Sequence, residues 1–399
     1  MTIKLLFLNP VGFIGGAERV LLQNLAALRK LDQNIELILI VGSSGALIEA
    51  ASAIGVSVIC LPIPDSLSQL GDSQLKNQSI ALIKILFQIA SASRDLLAYL
   101  QQLRREIAAV QPDLIHSNGI KTHALIGLLG RLPCPIVWHV HDFYSARPLM
   151  SNVLRLMATS IAGAIAPSQA VAINAKSIIP LGSIALINPV VDSIYFSSRP
   201  PQPKASLRIA LVATFARWKG HDVFLQAAAQ VKRQLRDCAV RFCIVGGSIY
   251  QTAGSQFSLA ELNAKVRELG LETIVEFLGF QSDMKAVYQS LDIVVHASTQ
   301  PEPFGLVIAE AMACGKAVIV SQAGGAGELF TQNYDAIGVP PGDADALAQA
   351  LIELIQNVDR RLELGHNAQQ TAIKRFSGDR LSADLLAAYA RFGCSIRAC

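Results

Sequence analysis

Two carboxylates stand eight positions apart in the stretch Glu302-Pro303-Phe304-Gly305-Leu306-Val307-Ile308-Ala309-Glu310. An EPFG turn opens a helix between them. Gly305 lets the backbone approach a ligand closely. The first amides of a helix have no partner within it, so they can receive an anion such as a diphosphate. Phe304, Gly305 and Leu306 are therefore candidates to line a phosphate. Glu310, more than a turn into the helix, is placed to reach hydroxyls on the same ligand. Glu302, before the turn, reaches another part of it. A phosphate cradle between two hydroxyl-seeking carboxylates suits a sugar nucleotide.

The elements around this stretch support a ligand site. The small apolar helix ends at Gly315 and runs into Lys316-Ala317-Val318-Ile319-Val320, a buried-strand pattern. A second glycine-rich loop follows, Ala323-Gly324-Gly325-Ala326-Gly327-Glu328. Two loops at adjacent strand ends are thus built for ligand approach.

From Phe277-Leu278-Gly279-Phe280 through Ala346-Leu347-Ala348, the sequence resembles the retaining glycosyltransferases of family 4, which have the GT-B fold. The resemblance rests on Leu291-Asp292-Ile293-Val294-Val295, the EPFG segment, the AGGAGE loop and Val339-Pro340-Pro341-Gly342-Asp343. It implies sugar transfer from a UDP- or GDP-sugar to a glycan, lipid-linked or small-molecule acceptor. Configuration at the sugar would be retained, with no cofactor and no metal. A catalytically silent sugar-nucleotide binder and another GT-B enzyme such as an epimerase are the alternatives.

Four more segments carry candidate chemistry. The strand Pro135–His141 ends at His141-Asp142, and open α/β sheets bind ligands at that end. By resemblance, His141 matches the active-site histidine that contacts the donor sugar, and His139 packs or orients. After the strand at 208–213 comes Thr214-Phe215-Ala216-Arg217-Trp218-Lys219-Gly220, where Lys219 and a helix start act on one anion. The family pattern makes Lys219 the diphosphate lysine and puts an arginine five residues before it. Thr214 stands there instead, and Arg217 is expected to supply the missing cation. His141, Glu302, Arg217 and Lys219 are thus the expected catalytic set.

The first strand runs into Gly12-Phe13-Ile14-Gly15-Gly16-Ala17-Glu18. Gly15 and Gly16 mark a ligand-approach turn, to which the resemblance gives a role in closing over the donor. The spacing does not match a dinucleotide fingerprint, and Glu36 begins the second strand instead of ending it. In the loop after Asp113–His116, Asn118, Lys121 and His123 are candidates to meet an acceptor. An ordinary solvated loop is the other reading.

Strand-like and helix-like runs alternate along all 399 residues, the pattern of parallel βαβ units. The proline-rich Ser197–Lys204 interrupts them. The expected architecture is α/β, with two Rossmann-like domains whose parallel sheets face across a cleft. Residues 1–196 form an acceptor-side domain, 197–206 a linker and 207–375 a nucleotide-sugar domain. By resemblance, 376–399 provide a helix that crosses back to the first domain. The stretch at 80–110 reads either as core-packing helix or as a surface helix touching a membrane or lipid-linked acceptor.

Apolar residues make up 52% and charged residues 16%, a composition for large cores. A net charge of +4 with no basic run gives no case for nucleic acid. Seven scattered cysteines without a CxxC fit small core residues in a reducing compartment, not a zinc site. Neither a signal peptide nor an uncharged span of membrane length stands out. A cytoplasmic protein is expected, with peripheral contact at the inner membrane face as the further option.

Overall fold

The computed structural model describes residues 3–68, 78–196, 206–235, 239–248 and 254–394. The expected linker at 197–206, save residue 206, lies outside the described residues. So do the side chains of the apolar run at 81–87. The chain divides into two compact units, Met1–Asn188 with Asp379–Cys399, and Pro189–Gly378.

In the first unit the order is β1 (Lys4–Asn9), α1 (Gly16–Leu31), β2 (Glu36–Val41), α2 (Ala46–Ala53), β3 (Ser57–Cys60), α3 (Asp65–Ser68) and α4 (Gln78–Val110). Then come β4 (Leu114–Asn118), α5 (Ile120–Leu128), β5 (Ile136–His139), α6 (Pro148–Met157), β6 (Gly163–Ala166), α7 (Gln169–Ala175) and β7 (Ile184–Leu186). The second unit has β8 (Leu207–Val212), α8 (His221–Gln234), β9 (Val240–Val245), α9 (Leu259–Glu268), β10 (Val275–Gly279), α10 (Met284–Ser290) and β11 (Ile293–His296). It continues with α11 (Leu306–Ala313), β12 (Ala317–Ser321), β13 (Ile337–Val339), α12 (Ala344–Gln356) and α13 (Val358–Phe376). The final α14 (Leu381–Arg391) belongs to the first unit.

Both sheets are parallel throughout. Their strand orders are β3-β2-β1-β4-β5-β6-β7 and β10-β9-β8-β11-β12-β13. The expected α/β class with two Rossmann-like parallel sheets is what the chain forms. The strands read as continuous apolar runs because helices cover both faces of each sheet. Leu5, Leu6, Phe7 and Leu8 of β1 and Val294, Val295, Val318 and Ile319 of β11 and β12 are all buried. Each sheet reverses its order once, between β1 and β4 and between β8 and β11. Ligands bind outside the carboxyl ends of the strands at such switch points.

The division between units falls earlier than position 196. Residues 189–196 pack with the second unit: the Val191 amide donates to the Phe376 carbonyl at 2.8 Å. Tyr195 packs edge-on to Tyr288. At the other end, Tyr389 of α14 and Phe392 just after it are buried in the first unit. A side chain at Gly163 would collide with the Phe392 ring, which explains the glycine there. Helix α4 is one helix that packs Tyr99, Leu103 and Ile107 into the first unit's core. Among the described residues no helix is long and apolar enough to cross a membrane.

Candidate active site

In the second unit, the loops after β8 and β11 meet at the switch point. Gly220 ends the first loop and starts α8 at φ +77°. A Cβ there would sit 1.8 Å from the Ala297 carbonyl oxygen, so only glycine lets the loops approach this closely. The Thr299 amide donates to the Trp218 carbonyl at 2.7 Å and ties the two loops. Lys219 is thereby delivered to the end of β11. Its ammonium lies over the Trp218 ring and is 2.7 Å from both oxygens of Glu302.

Glu302 also accepts from Ser298 Oγ at 3.0 Å and lies 3.3 Å from His296 Nε2. Lys219 and Glu302 keep only 19% and 13% side-chain exposure. Burial acts to raise the Glu302 pKa, but the Lys219 ammonium and His296 outweigh it, holding the carboxyl well below the usual carboxylate range.

The glycine-rich loops after β11 and β12 are joined at the same place. The Glu302 amide donates to the Ala323 carbonyl at 3.2 Å, and the Gly325 amide to the Glu302 carbonyl at 2.7 Å. Gly305, at φ +102°, begins α11 without a side-chain cap. That leaves the helix start to backbone amides, as the EPFG turn predicts. Glu310 is buried on α11, and the Tyr288 hydroxyl donates to its Oε2 at 2.9 Å. Burial and Glu310 push the Tyr288 pKa well up, so the phenol stays a donor.

Phe304 is a core residue, buried edge-on against Phe376, with Leu306 packed on the same core. Their backbone amides are what the EPFG turn offers a phosphate. Arg217, expected to supply the cation missing at Thr214, is paired elsewhere in this structure. Its guanidinium bonds Glu261 at 2.6 Å and the Gly254 carbonyl at 3.1 Å, over the Phe257 ring. The 3₁₀ turn at Arg217–Lys219 separates the two side chains by two positions, which sends them to different partners.

In the first unit, His141 lies just past β5, its ring part-buried. Its Nε2 is 2.6 Å from Asn118 Oδ1. Asn118 Nδ2 donates to Asn9 Oδ1 at 2.7 Å. Asn9 Nδ2 donates to the Val11 carbonyl at 2.7 Å and to Glu18 Oε1 at 3.3 Å. Glu18 Oε2 accepts the Gly15 amide at 3.0 Å. Burial raises the Glu18 pKa and lowers that of His141 to about 4.

A second polar chain runs beneath. Tyr389 Oη is 2.8 Å from His116 Nδ1, and His116 Nε2 is 3.1 Å from His139 Nδ1. The His139 ring is 4.2 Å from that of His141. His139 is thus buried and packed between the His116 and His141 rings.

The acceptor candidates change too. His123 is fully buried, stacked on Trp138 and bonded to Ser117, so it meets no acceptor. Asn118 is 1% exposed with both ends of its amide engaged. It supports His141 instead of contacting a ligand directly. Lys121 is half-buried, its pKa lowered by burial and Arg147. Gly15 gives its amide to Glu18, whereas a side chain at Gly16 would meet no atom within 4 Å.

Sequence reading passed over Asn9, Glu18, Ser298, His296, His116, Tyr288 and Tyr389. Asn9 and His296 end strands at the switch points, a positional signal that was present. Tyr288 and Tyr389 sit on helices with nothing local to mark them.

Known proteins match both units. The sequence model for family 4 glycosyltransferases matches residues 14–193, and that for group 1 glycosyl transferases matches residues 196–371. A D-inositol 3-phosphate glycosyltransferase of Corynebacterium kroppenstedtii is 34% identical over 171 residues, 42% of this chain and 37% of that protein. An N,N'-diacetylbacillosaminyl-diphospho-undecaprenol alpha-1,3-N-acetylgalactosaminyltransferase of Campylobacter jejuni is 32% identical over 167 residues, 42% of this chain and 40% of that protein. The matched stretch thus spans about two fifths of these relatives' length.

The crystal structure of Anabaena HepE with UDP superposes with a TM-score of 0.77 at 24% identity, covering 97% of this chain and 100% of that one. Sucrose-phosphate synthase of Thermosynechococcus elongatus gives 0.77 at 20% identity, covering 98% and 100%. At these identities the likeness is one of fold. With its two units matched in order by the two sequence models, and its fold shared with these GT-B proteins, the chain belongs to the family 4 glycosyltransferases.

Proposed function

We propose that this protein is a retaining glycosyltransferase that moves a sugar from a nucleoside-diphosphate donor to an acceptor hydroxyl. The observation that carries this is the second unit's switch point, where Lys219 and Glu302 pair beside the uncapped start of α11. HepE has been crystallised with UDP-glucose, which supports a UDP-sugar as donor.

In the reaction the bond from the anomeric carbon to the β-phosphate oxygen breaks. A bond from the acceptor oxygen to that carbon forms on the same face. The acceptor's proton passes to the departing phosphate. Negative charge grows on the leaving group, where Lys219 and the α11 amides stabilise it. Glu302 holds sugar hydroxyls, and Glu310, fixed by Tyr288, accepts from the ribose. To the first unit the proposal assigns a sugar hydroxyl at His141. No step requires a metal or cofactor in this scheme. A glycan, lipid-linked or small-molecule acceptor is proposed; the relatives' names point to D-inositol 3-phosphate in one case and to a diphospho-undecaprenol-linked sugar in another.

The test is a panel of UDP- and GDP-sugars read by thermal shift, followed by transfer assays with glycan, lipid-linked and small-molecule acceptors. A bound donor raises the melting temperature. If no nucleotide sugar does so, the proposal fails. Binding without transfer to any acceptor would instead favour a silent sugar-nucleotide binder.

A further inference from the structure

We propose that Asn9 and Asn118, with Glu18 as anchor, are positioning residues that hold His141 in its Nε2–H tautomer and so present Nδ1 as a hydrogen-bond acceptor. The inference rests on reading His141 as a ligand-facing group.

The argument follows the polarity of the chain of bonds. The Val11 carbonyl can only accept, and Glu18 receives the Gly15 amide on one oxygen and Asn9 on the other. The group that Asn9 turns to them must be its amide nitrogen. Its oxygen then faces Asn118, so Asn118 must answer with nitrogen. The Asn118 oxygen is left for His141, and Nε2 at 2.6 Å must carry the proton.

Amide orientations are normally assignments, not observations. Here the Val11 carbonyl fixes them all. Turning either amide sets two donors or two acceptors face to face. Asn9 and Asn118 are each 1% exposed, so bulk water does not relieve the mismatch. Burial keeps the His141 ring neutral near pH 7, so it carries one proton, and the chain places that proton on Nε2. Among the described residues no hydrogen bond reaches Nδ1.

A neutral Nδ1 lone pair selects a donor. It fits a hydroxyl and repels a phosphate or carbonyl oxygen. His141 is thereby suited to a sugar hydroxyl and not to the diphosphate. The chain also links the Gly15 amide to the His141 ring, two features from opposite sides of the switch point.

The test uses the full chain with ¹⁵N-labelled histidine at pH 7. Long-range ¹H–¹⁵N spectra distinguish protonated from unprotonated ring nitrogens, and His141→Gln assigns the signal. Wild type should show a protonated Nε2 and a bare Nδ1 at His141. Asn118→Ala, and Asn9→Leu as a second variant that keeps the shape at Asn9, should move both nitrogens toward averaged values. The buried His123 signals, unchanged, verify the fold. A protonated Nδ1 in wild type would overturn the proposal, as would an unaltered His141 spectrum in the folded variants. The spectrum needs no substrate, so a failure to transfer sugar would refute the proposed function without touching this result. In a transfer assay Asn118→Ala should lower kcat about tenfold or more with a smaller change in KM, the pattern of a misoriented group.

Discussion

Glu302→Gln is expected to tighten the binding of free UDP or GDP while slowing sugar transfer. The substitution keeps the shape of the side chain and removes its charge. In the protein that charge lies 2.7 Å from the Lys219 ammonium, through both oxygens, at 13% exposure. A diphosphate that reaches Lys219 must share the ammonium with this carboxylate and sit close to its negative charge. At a separation of about 6 Å and an effective dielectric of about 20, the repulsion removed is about 3 kcal/mol. Screening and water reduce it, so an affinity gain of roughly ten- to a hundredfold is expected, 1.4 kcal/mol per tenfold.

Free nucleotide has no sugar, so the hydroxyl contacts proposed for Glu302 do not offset the gain. Transfer needs those contacts and should fall. Stability should drop by about 1–3 kcal/mol, below the cost of breaking a fully buried pair because both side chains keep some solvent. Isothermal titration of wild type and variant with UDP and with GDP at fixed salt measures the effect. A folded variant that binds both nucleotides no more tightly than wild type would refute the placement of the diphosphate at Lys219.

Glu310→Gln should weaken donor binding by roughly 1.5–3 kcal/mol, the worth of a charged hydrogen bond, and titration showing an unchanged dissociation constant would remove Glu310 from the site. Arg217→Ala should leave kcat/KM within a few-fold of wild type, because the guanidinium is held in an exposed pair with Glu261, a class worth about 0–1 kcal/mol. A hundredfold loss would return the diphosphate role to Arg217. Acidification from pH 6.5 to 5 should destabilise the first unit more than the second. Burial lowers the pKa of His116 to about 3, of His141 to about 4 and of His123 and His139 well below normal, all in the first unit. In the second unit it lowers His221 to about 4. Each is neutral when folded and takes up a proton on unfolding. Its contribution is whole above about pH 6.5 and falls by about 1.4 kcal/mol per pH unit below that, until the folded pKa is reached. Trp138 and Trp218 lie in different units, so urea melts of single-tryptophan variants at pH 6.5 and 5 test the difference. A Trp218 transition that shifts more than that of Trp138 would contradict it.

The α/β class was legible because its signals are local. Apolar runs such as Leu5–Leu8 and Val294–Val295 alternate with helical periodicity, and burial on both sheet faces demands that pattern. The start of α11 at Gly305 was legible for the same reason, since a turn and its helix are neighbours in sequence. What the sequence left open depended on contacts between distant segments. Lys219 and Glu302 are 83 positions apart, and only the adjacency of β8 and β11 makes them a pair. Arg217 looked like a cation for the ligand because Thr214 left a place for one. The partner that claims it, Glu261, comes from α9, and no local rule names it. Residues 189–196 read as the end of the first domain, yet Val191 bonds Phe376. His141 was found from its place at a strand end. Its proton was not, because Asn9, Glu18 and Asn118 meet only when β1 and β4 lie side by side. Propensity and pattern act over a few residues and can be read in order along the chain. Which polar group answers which is settled by packing, where a buried donor must find an acceptor wherever the fold supplies one.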